Sequence, residues 1–167
     1  EGYTFVPMHM VFAVKHDGRH KARYVMNGSK TEPPEYDVFS PVVGLDIVHL
    51  LLFIAIHNNL SIRMADVTCA YLQADTKEKI YTRAGIEWGP DIEGCILIIL
   101  KSVYGLKTSG ARWYERLADV LLSLGFVPCR AGVSIWMRLN SNGVYDFIAI
   151  YVDDLLVVAL DLSLIHI

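Results

Sequence analysis

The sequence predicts an α+β domain, and three features carry that prediction. Short apolar runs of strand length recur along the chain, one central segment has clear helical periodicity, and the two kinds of segment mix without a regular strand–helix–strand rhythm. The 167 residues, 53% hydrophobic and 20% charged, suffice for one domain with a substantial core and are too apolar for a disordered chain.

The elements follow in order. Met8 to Val14 and Arg23 to Met26 are apolar strands around a polar turn at His16-Asp17-Gly18, which predicts a β-hairpin with a basic tip. Thr31 to Tyr36, with Pro33-Pro34, reads as a loop. Gly44 to Asn58 has too many apolar residues for one face, so a buried helix ending at Asn58-Asn59 is expected. Leu60 to Ala65 alternates like a strand and delivers Asp66 at its end. Ile80 to Arg83 and Cys95 to Leu100 are further strands, separated by a loop from Gly85 to Gly94. The clearest helix is Ser109 to Leu124, where Trp113, Leu117, Val120, Leu121 and Leu124 share a face. Ser109 is placed to cap its start and Gly125 to end it. Arg112 in its first turn opposes the helix dipole, which points to a partner such as a phosphate. Strands then follow at Val133 to Leu139, Val144 to Val152 and Leu155 to Leu160, with turns at Asn140 to Gly143 and at Asp153-Asp154.

Charge distribution says more than the net charge of −3. Lys15, Arg19, Lys21, Arg23 and Lys30 make one basic island, and Lys101, Lys107, Arg112 and Arg116 a second. The acids collect elsewhere. Solvated surface charge would look the same, but so would a polyanion-binding protein with separate metal-binding carboxylates. Cys69, Cys95 and Cys129 form no close pair, which weighs against a zinc site or disulfide framework and favours a reducing, intracellular setting. The longest apolar run, Ile47 to Ile56, is too short to span a bilayer and predicts no membrane partner. The chain opens Glu1-Gly2-Tyr3 without an initiator Met, as a piece of a longer protein would.

The sharpest chemical feature is Tyr151-Val152-Asp153-Asp154-Leu155. Two adjacent acids stand between two strongly apolar runs, so they sit at a hairpin tip beside a core. Like charges held together there call for a cation, and oxygen-only ligands favour Mg²⁺. An ordinary acidic turn would use the same residues. The second feature is Asp66 at a strand end, followed by Ala70 and Tyr71; an Asp capping a short helix would look alike. Together, one carboxylate at a strand end and a pair at a hairpin tip make a ligand set for two metals about 4 Å apart.

With these segments in order, the chain resembles the reverse-transcriptase domain of copia-type (Pseudoviridae-like) LTR retrotransposon polyproteins. The matching stretches are Lys21-Ala22-Arg23-Tyr24-Val25 with Gly28, Ser40-Pro41-Val42-Val43, Asp66 to Leu72, Lys101 to Lys107, Ala111-Arg112-Trp113-Tyr114 and Tyr151-Val152-Asp153-Asp154. The resemblance implies an α+β polymerase core of fingers and palm over residues 1–160, with an antiparallel palm sheet backed by helices and the thumb absent. Fingers would come mostly from the first 60 residues and part of 75–105, and Asp161 to Ile167 would be a truncated or foreign end.

It also implies roles. Asp66, Asp153 and Asp154 resemble the catalytic, metal-binding acids, with Asp66 and Asp153 foremost, for two Mg²⁺ ions that Mn²⁺ can replace. Tyr71 resembles the residue that excludes a ribose 2′-hydroxyl, although a core aromatic is its plainer reading. Lys15, Lys21 and Arg23 resemble the cations that hold a triphosphate. Tyr104, Gly105 and Leu106 resemble the turn beside nucleotide and template base, Gly105 permitting close backbone approach. Lys107, Arg112 and Tyr151 are implied for the template-primer. The implied activity is RNA-directed DNA synthesis from deoxynucleoside triphosphates on an RNA or DNA template-primer. Integrase and ribonuclease H would be its neighbours in the polyprotein, within a cytoplasmic virus-like particle or the nucleus. Thr108-Ser109-Gly110 departs from the Gln-Ala-Pro that many members carry. Two other readings stand beside this one: an inactive retrotransposon remnant that at most binds nucleic acid, and a palm-fold nucleotidyl cyclase, which leaves the basic hairpin without a role. His9, His49 and His57 form no ligand set, and Trp88 and Trp136 read as packing residues.

Overall fold

The computed structural model describes residues 2–31, 34–35 and 37–161. Most of the expected 161–167 end, and part of the Thr31 to Tyr36 loop, lie outside them. The strands are β1 (Thr4–Phe5), β2 (Met8–Val14), β3 (His20–Met26), β4 (Ser61–Asp66), β5 (Asp75–Arg83), β6 (Ile96–Lys101), β7 (Val127–Cys129), β8 (Gly132–Leu139), β9 (Tyr145–Tyr151) and β10 (Asp154–Ala159). The helices are α1 (Leu45–His57) and α2 (Ser109–Ser123). The chain is therefore α+β, and it divides into two compact units. One runs to Phe39 and includes Tyr71–Trp113; the other comprises Ser40–Ala70 and the chain from Tyr114 on.

In the first unit, β2 and β3 pair in register from Met8–Met26 to Val14–His20. Their tip is closed by Lys15 N donating to Arg19 O at 2.8 Å and by an Arg19–Asp17 ion pair at 2.6 Å. Strands β1, β5 and β6 form a second sheet, with β1 parallel and β6 antiparallel to β5. The core joins Val6, Met26, Ile80 and Leu106. Here backbone packs directly on backbone. A Cβ on Gly105, at φ +92°, would lie 1.9 Å from Met26 O, and one on Gly28 would lie 2.1 Å from Gly105 O. Met26 N donates to Tyr104 O at 2.8 Å across the same junction. The 103–106 turn is thus clamped to the end of β3 at a distance that only two glycines allow.

The second unit is built on an antiparallel five-stranded sheet in the order β4-β10-β9-β8-β7. Leu156, Val158, Phe147 and Ala149 share one face by strand alternation, and α1 packs there through Val48, Leu51 and Ala55. Trp136, Ile148 and Val157 share the opposite face and are just as buried. Arg138 stands with Trp136 on that side. Its guanidinium donates to Leu124 O at 3.0 Å and lies 4.7 Å from the Phe126 ring, which ties the end of α2 to β8. The same guanidinium pairs at 3.1 Å with Asp146, a carboxylate only 2% exposed that also accepts from Asn140 Nδ2. A buried charge held this way is satisfied on both oxygens. Helix α2 ends as its sequence indicates: Gly125 has φ +81°, its N–H reaches Leu122 O, and Phe126 N–H reaches Leu121 O.

Several expectations change. The sheet has a helix on each face rather than helices only behind it, because the stripe of α1 packs on the Leu156–Val158 side. Residues 40–60, expected with the first part, belong to the second for the same reason. Helix α1 is not buried all round: a cylinder on a flat sheet covers one stripe, and Leu45, Leu50, Phe53 and Ile56 stay exposed. Ser109 does not cap α2; its hydroxyl donates to Val103 O at 2.6 Å. Strands β1 and β7, of 2 and 3 residues, are too short to leave a periodic signal. Among the described residues no helix is long and apolar enough to cross a membrane.

The glycine clamp is directly testable. Gly105→Ala should destabilise the protein by on the order of 3 kcal/mol, from a strained φ plus forced separation of two backbones. Gly143→Ala, also at positive φ but facing open space, should cost only about 1 kcal/mol. Urea unfolding of the two variants measures the difference.

Candidate active site

The three acids lie in the second unit, where strand pairing decides their relation. β10 and β4 pair without interruption from Asp154–Asp66 to Ala159–Ser61. Asp66 and Asp154 are therefore directly opposite each other, on one face, with Cβ atoms about 4.5–5.5 Å apart. Both are exposed. Asp153 sits in the connecting turn, half-buried, and its carbonyl accepts from Val67 N at 2.8 Å. The turn itself is Val152-Asp153, since Asp154 already pairs with Tyr151 as the first residue of β10. The closest partner of Asp66 on the ladder is thus Asp154 rather than Asp153. Exposed Tyr151 and Asp154 stand at the edge of an apolar cavity of about 440 Å³ between α1 and the sheet, lined also by Val43, Val48 and Leu156.

Val152 holds the turn at φ +57°. A β-branched residue there costs roughly 1–3 kcal/mol, and such strain collects at functional sites. The sequence shows apolar runs separated by acids, but not that Val152 is the first turn residue. Only the two-residue hairpin rule could have located it.

Two like charges face to face on a ladder are unfavourable without a cation. Among the described residues no three His, Cys, Asp or Glu side chains are gathered closely enough to hold an ion by themselves. That is compatible with Mg²⁺, which keeps several waters and binds through one or two carboxylates together with substrate phosphates. The Asp66–Asp154 pair supplies hard oxygen donors of that kind, with Asp153 next to it in the chain.

Apart from Tyr151, the other expected residues lie in the first unit, and several come together there. Lys21 and Arg23 alternate onto one face of β3, while Lys15 is exposed at the hairpin tip. The Arg23 guanidinium lies 5.3 Å from the Tyr104 ring centre, and the Tyr71 ring lies 4.8 Å from Tyr104, tilted by 53°. A ring pair of this geometry is worth about 0.5–1.5 kcal/mol beyond its burial. Tyr71 is half-buried, not a fully buried core aromatic. Gly105 does permit close backbone approach, to Met26. Lys107 donates to Thr31 O at 2.8 Å, one of its three N–H donors.

Two expectations need correction. Leu106 is 7% exposed and packs with Val6, Met26 and Ile80, so its side chain serves the core and not a nucleotide surface. Arg112 is 5% exposed, so its guanidinium does not stand on an open surface where a template phosphate could reach it. Lys101 pairs with Asp75 at 2.6 Å. Much of the second basic island is therefore spent within the fold.

Sequence reasoning also missed a polar clasp. Trp88 Nε1 donates to the Tyr24 hydroxyl at 2.7 Å, and that hydroxyl donates to Glu87. The rings of Tyr24 and Trp88 meet edge-on at 5.3 Å. Accepting the hydrogen bond from the Tyr24 hydroxyl lowers the Glu87 carboxyl below its ordinary range. Burial, helped by Glu87, raises the Tyr24 phenol. Trp88 is thus an exposed ring held by hydrogen bonds that span more than sixty residues of sequence.

Residues 2–166 match the family model described as reverse transcriptase (RNA-dependent DNA polymerase). The transposon Ty1-ER2 Gag-Pol polyprotein of Saccharomyces cerevisiae is 35% identical over 159 residues, covering 92% of this chain and 8% of the relative. The truncated transposon Ty1-A Gag-Pol polyprotein of the same yeast is 35% identical over 156 residues, covering 92% and 12%. The chain spans about a tenth of the length of these curated relatives. No solved structure matches it.

Two outcomes follow from the geometry. In metal-free buffer, Asp66→Asn should stabilise the protein by on the order of 0.5 kcal/mol, by removing a like charge opposite Asp154. Adding Mg²⁺ should shrink that difference, and paired denaturant titrations with and without the ion would detect it. The clasp should respond to pH. Glu87 is lowered on folding, so its contribution is present above the ordinary glutamate range and lost as pH falls through its own value. Tyr24 is raised, so its contribution is present below the ordinary tyrosine range and lost as pH rises through its own value. Trp88 is 42% exposed whereas Trp113 and Trp136 are 5% and 3%, so acrylamide quenching reports mainly on Trp88. Quenching should rise in acid, and in Tyr24→Phe it should already be raised and independent of pH.

Proposed function

The chain belongs to the reverse transcriptases of copia-type retrotransposons, and we propose that it is the nucleotide-adding portion of such an enzyme, acting as part of a longer polyprotein. The observation that carries this reading is the direct opposition of Asp66 and Asp154, with Asp153 in the turn between paired strands. Asp66 and Asp154 hold the divalent ions, Mg²⁺ by preference and Mn²⁺ as a substitute, and Asp153 contributes from the turn. Bound ions would lower the pKa of a primer 3′-hydroxyl and neutralise the charge of a departing pyrophosphate. The chain's own contribution is placement: phosphoryl transfer needs reacting groups held in line and little covalent help from protein.

In this reading Lys15, Lys21 and Arg23 hold the triphosphate of the incoming nucleotide. Arg23 has planar donors suited to paired contacts with phosphate oxygens. Tyr71 borders the sugar and rejects a 2′-hydroxyl by steric conflict. Lys107 and Tyr151 meet the template-primer. Integrase and ribonuclease H would be the neighbours in the polyprotein, and a virus-like particle its setting. The Gag-Pol character of the relatives supports that context.

The test uses a complete reverse-transcriptase region carrying these residues. Asp66→Asn, Asp153→Asn and Asp154→Asn should each cut Mg²⁺-dependent primer extension on an RNA template by on the order of 10³ or more. Undiminished synthesis by any one of them removes that acid from the ligand set. Gel-shift binding with no extension in the unmutated protein would favour an inactive remnant.

A further inference from the structure

We propose that Tyr104 is a positioning residue for sugar selection, bracing the ring of Tyr71. This rests on the reading that Tyr71 borders the sugar of the incoming nucleotide. A steric barrier to one extra oxygen atom works only if the blocking ring is held to about half an ångström. Tyr71 is the second residue of a short 3₁₀ turn, Ala70–Gln73, where buried Ala70 and the Ala74 N–H to Tyr71 O bond of 3.0 Å secure its backbone. A secured backbone still leaves a tyrosine ring several staggered wells to occupy. The Tyr104 ring, 4.8 Å away and tilted by 53°, favours one of them.

Tyr104 is itself unusually well anchored. Its carbonyl accepts from Met26 N at 2.8 Å, and the residue after it, Gly105, is pressed onto the Met26 backbone with no room for a Cβ. The brace is thus referenced to the end of β3, the strand that carries Arg23. The Arg23 guanidinium lies 5.3 Å from the same Tyr104 ring. One ring therefore contacts both the cation assigned to the triphosphate and the ring assigned to the sugar. Both tyrosines are only half-buried, whereas neighbouring Leu106 is 7% exposed and belongs to the core.

The experiment measures deoxy- over ribonucleotide kcat/KM on one primer-template, in the complete reverse-transcriptase region. Tyr104→Leu should lower the ratio about three- to tenfold, the span that loss of one aromatic pair allows. The change should appear as a lower ribonucleotide KM, with the deoxynucleotide KM changing less. Tyr104→Phe keeps the ring and should restore the parental ratio, which a general packing defect would not explain. Tyr71→Ala should lower the ratio further, and adding Tyr104→Leu to it should change nothing more. If Tyr104→Leu proves insoluble, Tyr104→Met replaces it. An unchanged ratio in the ringless Tyr104 variant, or independent additive effects in the double variant, overturns the brace while a response to Tyr71→Ala preserves the sugar assignment. No response to Tyr71→Ala overturns that assignment and the brace together.

Discussion

The register between β4 and β10 is the constraint on which the rest depends. Strand side chains alternate with a period of two, so a slip of one residue would send Asp154 to the opposite face and separate it from Asp66. Two things prevent the slip. Val67 N bonds to Asp153 O beyond the last pair, and Leu156 and Val158 are committed to the α1 face, while the tight Val152-Asp153 turn fixes β10 against β9. The apolar packing that α1 and Val158 provide is worth several kcal/mol. That is enough to sustain both a strained Val152 and a pair of facing carboxylates.

In the first unit the corresponding device is a steric one. Gly28 and Gly105 lock the 103–106 turn against β3, which brings Arg23, Tyr104 and Tyr71 into one cluster although they are distant in sequence. A hydrogen bond alone would leave that turn free to shift by tenths of an ångström. Backbone-to-backbone contact removes the freedom, at the expense of tolerance to any substitution at either glycine.

Much of this was legible in the sequence, for identifiable reasons. Asp66 and the Asp153-Asp154 pair stand out because they interrupt or end long apolar runs. The β2–β3 hairpin and helix α2 declare themselves through period and stop signals, and Gly125 ends α2 as expected. What stayed hidden depends on tertiary neighbours. Arg112 is conspicuous as a cation at a helix start, but its burial cannot be read from position. Leu106 falls within a turn motif, yet packs into a core formed by Val6, Met26 and Ile80. Placing the turn at Asp153-Asp154 instead of Val152-Asp153 was an error of one residue. It matters because alternation makes one residue the difference between two faces. Helix α1 misled for a related reason: an apolar composition tells that a helix will be covered somewhere, not that the covering stripe will be narrow.

The stripe of α1 left open by the sheet, together with β4 at the sheet's margin, has a practical consequence. Leu50, Phe53 and Ile56 project from the helix, Ile62 and Met64 from the strand, and β4 has a neighbour only in β10 among the described residues. A marginal strand with greasy side chains is a template for pairing with another molecule. Prepared in isolation, this polypeptide should be colloidally fragile and self-associate as its concentration rises. Lysine placed at position 53 offers a route to a tractable sample that leaves the acid-bearing end of the ladder untouched.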